Sequence, residues 1–352
     1  MSDAALSTTI NNSANSATPK TFRHALLMFS KPPVPGLVKT RLTHAHGGIF
    51  SEEEAAQLFH RSLFDVMELC INAIAQLEAE DAANAASAAN SENSTSAANA
   101  AYSENDADTE NAANEQSSAG AQAATANLTD SQAAVSNVQH EYAIFISTTP
   151  EENVQKMREV FEEAGEWPRE FNYIVDKGEN FDIHFDDAFN QIFALGYDSI
   201  LSVGGDIPML PFTHVTSAFR WLQYFLETSE VGGLVQAPCQ ECGVSVIGWT
   251  RNTKMDHQGV YYNMTGRPAL DAYVEKCEEA GVPMASLTPV ADVDDMQDLA
   301  HAISLARSAE YTSKFQSDFY VPERFLSWVN WRGIKVGTPP NEDRDSREGI
   351  DN

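Results

Sequence analysis

Lys31, Lys39 and Arg41 stand close together in one stretch, Phe29-Ser30-Lys31-Pro32-Pro33-Val34-Pro35-Gly36-Leu37-Val38-Lys39-Thr40-Arg41-Leu42, which follows the apolar run Ala25-Leu26-Leu27-Met28-Phe29. A buried strand that empties into a Pro/Gly-punctuated loop bearing three cations is how an α/β protein builds a polyphosphate site. Gly36 lets the backbone approach an anion, and the three side chains neutralise it. The loop is neither a Walker loop nor a G-x-G-x-x-G fingerprint. A second chemical stretch, Ser199-Ile200-Leu201-Ser202-Val203-Gly204-Gly205-Asp206-Ile207-Pro208, reads as a buried strand ending in Gly-Gly-Asp-x-Pro. Gly204 and Gly205 remove side chains where a ligand must approach, and Asp206 sits at the carboxyl end of the strand, where open α/β sheets bind ligands. A carboxylate there can hold Mg²⁺ or Mn²⁺ against phosphates contacted by Lys31, Lys39 and Arg41. The alternative for Asp206 is a cap on the helix beginning near Pro211 or Thr213.

A third acidic group, Asp292-Val293-Asp294-Asp295, enters a helix expected to run to about Ala309. Asp292 is open to either role, metal ligand or cap, whereas Asp294 is expected to cap the helix. His184, on a predicted helix with Phe181, Phe185, Phe189, Ile192 and Phe193 along one face, reads as a surface histidine rather than a catalytic base. Cys239-x-x-Cys242 has no second Cys/His pair at ligand spacing and stands between two strands, which speaks against zinc and redox use.

The elements that must position these groups follow from periodicity. Apolar positions Ala55, Leu58, Phe59, Leu63, Val66, Met67, Cys70 and Ile74 recur at helical spacing after the cap signal Ser51-Glu52-Glu53-Glu54. Strands are predicted at 141–146, 171–175, 233–238, 243–248 and near 284–287, alternating with helices at 150–164, 212–227 and 269–281. Strands alternating with helices imply a three-layer α/β domain over 21–310 with a mostly parallel sheet. Residues 1–20 are rich in Ser, Asn, Thr and Ala and are expected to form a disordered arm. Residues 78–139 collapse into Ala, Asn, Ser and ten acids without a Lys or Arg, the composition of a disordered insertion. Residues 311–352 are expected to supply a short amphipathic helix, packed on the domain or on a partner, and then an extended tail.

At 352 residues and 43% apolar the chain has ample material for a core, and its formal charge of −29 makes nucleic acid an improbable partner. It contains no window of about 18 apolar residues and no signal-peptide pattern at its start, so no membrane span and a cytoplasmic setting are expected. Its four cysteines fit a reducing compartment.

Lys-Pro-Pro-Val-Pro-Gly-x-Val-Lys-Thr-Arg-Leu at 31–42 resembles the opening motif of a bacterial family usually labelled as glycosyltransferases, or as transferases associated with radical-SAM and selenium domains. Among proteins of known chemistry that family looks similar to the GT-A nucleotidyltransferases, including the molybdenum-cofactor and 2-phospholactate guanylyltransferases. Gly-Gly-Asp-x-Pro at 204–208 and Asp-Val-Asp at 292–294 extend the resemblance, which covers about residues 22–77 and 140–305. It implies a GT-A-like fold, a metal-binding role for Asp206, and a nucleotide or nucleotide-sugar donor serving a small acceptor. The chain departs from the family at His184, where Arg is usual, and at Cys239-Gln240-Glu241-Cys242-Gly243, where Glu241 falls on an Asp position and Cys242 on a Gly. Glu241 is carried over as a donor-side residue. These departures leave a non-catalytic nucleotide- or metabolite-binding module as the competing reading.

Overall fold

The computed structural model describes residues 20–101, 138–316 and 319–337, with side chains described to residue 87 in the long first helix. The expected arm at 1–19, most of the expected insertion (102–137) and the tail at 338–352 lie outside the described residues. The chain divides into two units. One comprises Arg23–Glu80 and Glu141–Asn352; the other, Met1–Phe22 and Asp81–His140, holds the ends of two strands, where the rings of Phe22 and His140 stack 6.0 Å apart.

Seven strands form one sheet: β1 (Lys20–Phe29), β2 (Val138–Thr148), β3 (Phe171–Val175), β4 (Ser199–Val203), β5 (Leu234–Pro238), β6 (Val244–Thr250) and β7 (Met284–Ser286). Their order across the sheet is β3-β2-β1-β4-β6-β5-β7. The β1–β4, β2–β3 and β5–β7 pairs are parallel, and β6 runs against both β4 and β5. Among the described residues seven helices accompany them: α1 (Glu52–Ala101), α2 (Glu151–Glu163), α3 (Phe181–Ala194), α4 (Phe212–Thr228), α5 (Ala269–Ala280), α6 (Met296–Thr312) and α7 (Glu323–Arg332). The predicted element order is therefore reproduced.

Alternation along the strands builds the three layers. On β1, Leu26 and Met28 enter a core with Leu63, Met67 and Ile74 of α1 and Phe219 of α4, while Ala25 and Leu27 face Phe185 and Phe189 of α3 on the opposite side. β4 divides in the same way, Leu201 and Val203 to the first core and Ile200 to the second. Burying each of the larger of these side chains contributes roughly 1.5–3 kcal/mol, so the two faces lock the central pair, β1 and β4, in place. A third cluster joins Leu42 and Phe50, just beyond the cation loop, to Leu58 of α1, Ile303 of α6 and Phe325 and Trp328 of α7. The C-terminal helix thus packs on the domain. Asp65 of α1 fixes it by accepting the backbone N–H groups of Phe325 (2.8 Å) and Arg324 (3.2 Å).

Helix α1 continues past Leu77, where the sequence suggests order ends. Leu77 is buried, and Glu78 and Glu80 pair with Arg169 and Arg220, so packing and ion pairs add to the strong helix propensity of the Ala, Gln, Leu and Glu residues there.

Candidate functional site

The cation loop leaves β1 at Ser30, whose N–H donates to the Ser147 carbonyl near the end of β2 at 3.1 Å. Gly36 turns the loop with φ 77°, and a Cβ there would lie 3.0 Å from the Glu52 carboxylate. Three residues on, Lys39 itself takes left-handed backbone, φ 49° and ψ 36°, and leads into a short 3-10 turn, Thr40–Leu42. That conformation costs a non-glycine residue about 1–2 kcal/mol, and it is held in place from both ends. Leu42 is fully buried on one side, and the Lys39 side chain is anchored on the other.

The anchor is a pair of carboxylates. Lys39 Nζ lies 2.7 Å from Asp206 Oδ2 and 3.0 Å from Asp294 Oδ1, with only 8% of its side chain exposed. Arg41 reaches Asp294 Oδ2 at 3.5 Å from the solvent side. Burial works against the Lys39 ammonium, but Asp206 and Asp294 together outweigh it and raise its pKa above the ordinary value. Burial likewise opposes the Asp294 carboxylate, and Lys39 and Arg41 win there too, holding it below the usual carboxylate range. With Phe29, Lys31, Phe59 and Gly205 these groups line an open cleft of about 320 Å³ at the carboxyl ends of the adjacent strands β1 and β4.

Asp206 is delivered by the turn after β4. A Cβ on Gly204 would come within 2.8 Å of Asp206 Oδ1, and one on Gly205 within 2.7 Å of Leu63 Cδ1, so a side chain at either position would displace that neighbour. The Asp206 carbonyl accepts the N–H of Val293 at 3.1 Å, which draws the Asp292–Asp294 segment alongside. Asp206 does not cap a helix: α4 begins after Pro211, with no side-chain cap.

Asp294 is not the cap of α6. Asp295 is, accepting from Gln297 N and Asp298 N, while Asp298 accepts in return from the Asp295 N–H, a reciprocal box. This moves the cap one residue along and frees Asp294 for Lys39 and Arg41. The Asp-x-x-Asp spacing of 295–298 was the available signal for it.

Asp292 lies behind this pair. Its carboxylate accepts from Ser245 Oγ at 3.4 Å and is hydrogen-bonded to the Cys239 thiol, and its backbone is clasped by the Gln240 amide. Burial, reinforced by the negative charges of Asp206 and Asp294, pushes its pKa up to about 6. Glu241 stands exposed on the turn between β5 and β6, in left-handed backbone with φ 56°, as is Cys242 with φ 60°. The cleft lining does not include Glu241 or Asp292. Cys239 and Cys242 are both free thiols, and burial pushes Cys239 up to about 12, the reverse of an activated thiolate.

His184 is more engaged than a surface histidine. Its Nδ1 lies 2.8 Å from Asp176 Oδ1, and Ser147 Oγ donates to the other oxygen at 2.7 Å, so a carboxylate only 1% exposed spans the ends of β2, β3 and α3. Two further α3 carboxylates hold the 251–268 loop. Asp182 accepts the N–H groups of Val260, Tyr261 and Tyr262, and Asp186 holds the buried His257 at 2.8 Å. None of these loop contacts has a sequence signature, because each joins residues more than 70 positions apart.

Among the described residues no group of three His, Cys, Asp or Glu side chains is gathered around a common point fit for a metal ion. Two carboxylates sharing one cation, open to solvent on the cleft side, match instead the donor set of a Mg²⁺ site that phosphate oxygens and water complete. Lys39 Nζ is the stand-in by which that fit can be judged.

Residues 131–264 match the model of a family described as an uncharacterized protein conserved in bacteria (DUF2064); the cation loop lies outside the matched span. No curated protein matches the chain. Among solved structures, a Desulfovibrio desulfuricans G20 protein provisionally described as a nucleotide-diphospho-sugar transferase is similar over 88% of this chain and 95% of its own, with 17% identity and a TM-score of 0.53. A cytidylyltransferase from Leptospira borgpetersenii serovar Hardjo-bovis aligns over 56% of this chain and 80% of its own at 14% identity and a TM-score of 0.34. A CMP:2-keto-3-deoxy-manno-octonic acid synthetase complexed with CTP aligns over 83% and 99% at 9% identity and 0.35. The first of these likenesses defines the class: the chain has the nucleotide-diphospho-sugar transferase fold. No helix among the described residues is long and apolar enough to cross a membrane.

Proposed function

We propose that the protein is a metal-dependent transferase that takes a nucleotide donor and passes either its nucleotidyl or its glycosyl group to a small acceptor. The observation that carries this reading is the Lys39 ammonium bridging Asp206 and Asp294 at the mouth of β1 and β4, with Lys31 and Arg41 beside it. Six charged groups of both signs, Asp292 included, converge where a parallel sheet offers its ligand crevice. A structural role would not require an open cleft there. Asp206 and Asp294 would hold Mg²⁺ or Mn²⁺, with Asp292 adding negative charge behind them; the ion, when bound, would neutralise donor phosphate charge. Lys31, Lys39 and Arg41 bind and orient the remaining phosphate oxygens and stabilise charge on the departing group. The acceptor oxygen forms its bond to the α-phosphorus as pyrophosphate leaves, or to the sugar carbon as the nucleoside diphosphate leaves, and gives up its proton to water in the open cleft. A cytoplasmic setting agrees with this chemistry.

Thermal unfolding with and without Mn²⁺, across nucleoside triphosphates and nucleotide sugars, tests the reading. Ligand at about 100 times its dissociation constant adds roughly 2.7 kcal/mol. A Mn²⁺-dependent shift that Asp206→Ala abolishes is the expected result, and the best ligand separates triphosphate from sugar donors. No shift with any nucleotide overturns the reading. The placement of Glu241, exposed and outside the cleft lining, favours the competing binding module. Tight nucleotide binding without release of pyrophosphate or nucleoside diphosphate, across a panel of sugar phosphates and hydroxy acids, would select it.

A further inference from the structure

We infer that the Lys39 ammonium is a resident counter-cation: it holds, between Asp206 and Asp294, the place that a divalent ion takes when a donor diphosphate enters. The inference rests on the metal-dependent reading above and adds to it a mechanism by which metal and donor bind together. Three observations carry it. The ammonium touches both carboxylates, at 2.7 and 3.0 Å, and so satisfies in the free protein the pair that would otherwise repel across the cleft. Arg41, which also pairs with these acids, reaches Asp294 alone, at 3.5 Å, with a side chain 64% exposed. Lys39 is also held in left-handed backbone, φ 49°, so the loop is bent in the direction that delivers the side chain to the acids.

A flexible four-carbon stem lets the ammonium turn from the carboxylates to phosphate oxygens in the same cleft. A bare divalent ion must evict a bound positive charge without offering it a new partner. An ion arriving with a diphosphate supplies that partner, so each should strengthen the binding of the other by the same factor. Free metal should therefore bind weakly, and metal with diphosphate strongly.

The test measures Mn²⁺ binding to the full chain from the electron paramagnetic resonance signal of the free ion, with Mn²⁺ alone and with Mn²⁺ plus inorganic pyrophosphate. Lys39→Met should bind Mn²⁺ alone roughly tenfold or more tightly than the natural chain, because a competing charge is gone. Asp206→Asn in the same background should remove that gain. Lys39→Arg keeps the charge and should stay as weak as the natural chain, and Lys39→Gln serves as the neutral variant if Lys39→Met does not fold. Pyrophosphate should raise Mn²⁺ affinity strongly in the natural chain and less in the neutral variants. Equal or weaker Mn²⁺ binding in both neutral variants, with pyrophosphate-dependent binding intact, overturns the counter-cation while leaving the transferase reading standing. A gain in Lys39→Arg as well overturns it by pointing to altered packing. Absence of Mn²⁺ binding in every variant, with or without pyrophosphate, overturns both.

Discussion

Asp182 Oδ1 accepts the backbone N–H of Tyr261 at 2.9 Å, across 79 residues of chain. The same carboxylate, 2% exposed, also takes the N–H groups of Val260 and Tyr262. A single side chain in the first turn of α3 therefore receives three loop N–H groups, of which that of Val260 also donates within the loop to the His257 carbonyl.

Asp182→Ala should destabilise the fold by about 1–3 kcal/mol, since it takes the carboxylate partner from the N–H groups of Tyr261 and Tyr262 while Val260 keeps the His257 carbonyl. Urea unfolding measures the loss, and limited proteolysis should gain a cut between 258 and 266. A change under about 0.5 kcal/mol would mean that the loop is held by other contacts.

Asp292 should make stability depend on pH. Its folded pKa of about 6, raised first by burial and then by Asp206 and Asp294, lies above the ordinary carboxyl value near 3.8. The folded state thus keeps a proton that the unfolded chain gives up. The resulting stabilisation is fully present below about pH 4 and is lost as pH rises through 6. Discounted for solvent screening at a partly exposed group, the loss is about 1–2 kcal/mol. Asp292→Asn should accordingly match the natural chain at pH 4 and exceed it in stability at pH 7.5, as denaturant midpoints across that range would show.

Gly204→Ala and Gly205→Ala should separate site geometry from core packing. The first places a methyl 2.8 Å from Asp206 Oδ1 and turns the carboxylate off Lys39; the second drives one to 2.7 Å from Leu63 Cδ1 in the core. Calorimetric titration with Mn²⁺ and pyrophosphate should show a loss of about tenfold in Gly204→Ala with a small change in melting temperature. Gly205→Ala should lower stability by about 1–3 kcal/mol.

Gly248→Ala should be more damaging than either of these two changes, because the obstacle it meets is backbone. A Cβ there would lie 2.4 Å from the Ile200 carbonyl oxygen, so β6 and β4 could not keep their register. A loss of about 3 kcal/mol or more, or failure to accumulate as folded protein, is expected in a thermal melt.

The sheet and the cation loop were legible because their signals are local: apolar runs of strand length, and three cations with a glycine on one loop. The pairing of Lys39 with Asp206 could be anticipated only as convergence on one site, since 167 positions separate the two residues. The misplacement of the α6 cap came from a run of acids in which Asp292, Asp294 and Asp295 all suit an N-cap by type. What distinguishes Asp295 is Asp298 three residues later. Asp176, with Ser147 and His184 on its two oxygens, was invisible because a buried carboxylate after a strand looks like any turn aspartate until the partners from other elements are present. Helix α1 outran its predicted end because low hydrophobicity was read as disorder where Ala, Gln, Leu and Glu favour helix and Leu77 and Glu78 find partners on neighbouring elements.

β6 runs against β4 and β5, and the Cys239–Gly243 turn before it is therefore a hairpin rooted at both feet in the sheet, on the same rim as Asp206. A crossover loop spans the width of the molecule and drags a helix with it. This hairpin touches the rest of the rim chiefly through Gln240 and Cys239, whose contacts with Asp292 fasten it like a latch. Glu241 and Cys242 at its tip can be exchanged as a cassette, as in grafting a surface loop, without re-registering a strand. Sequence change on this rim has an inexpensive place to accumulate.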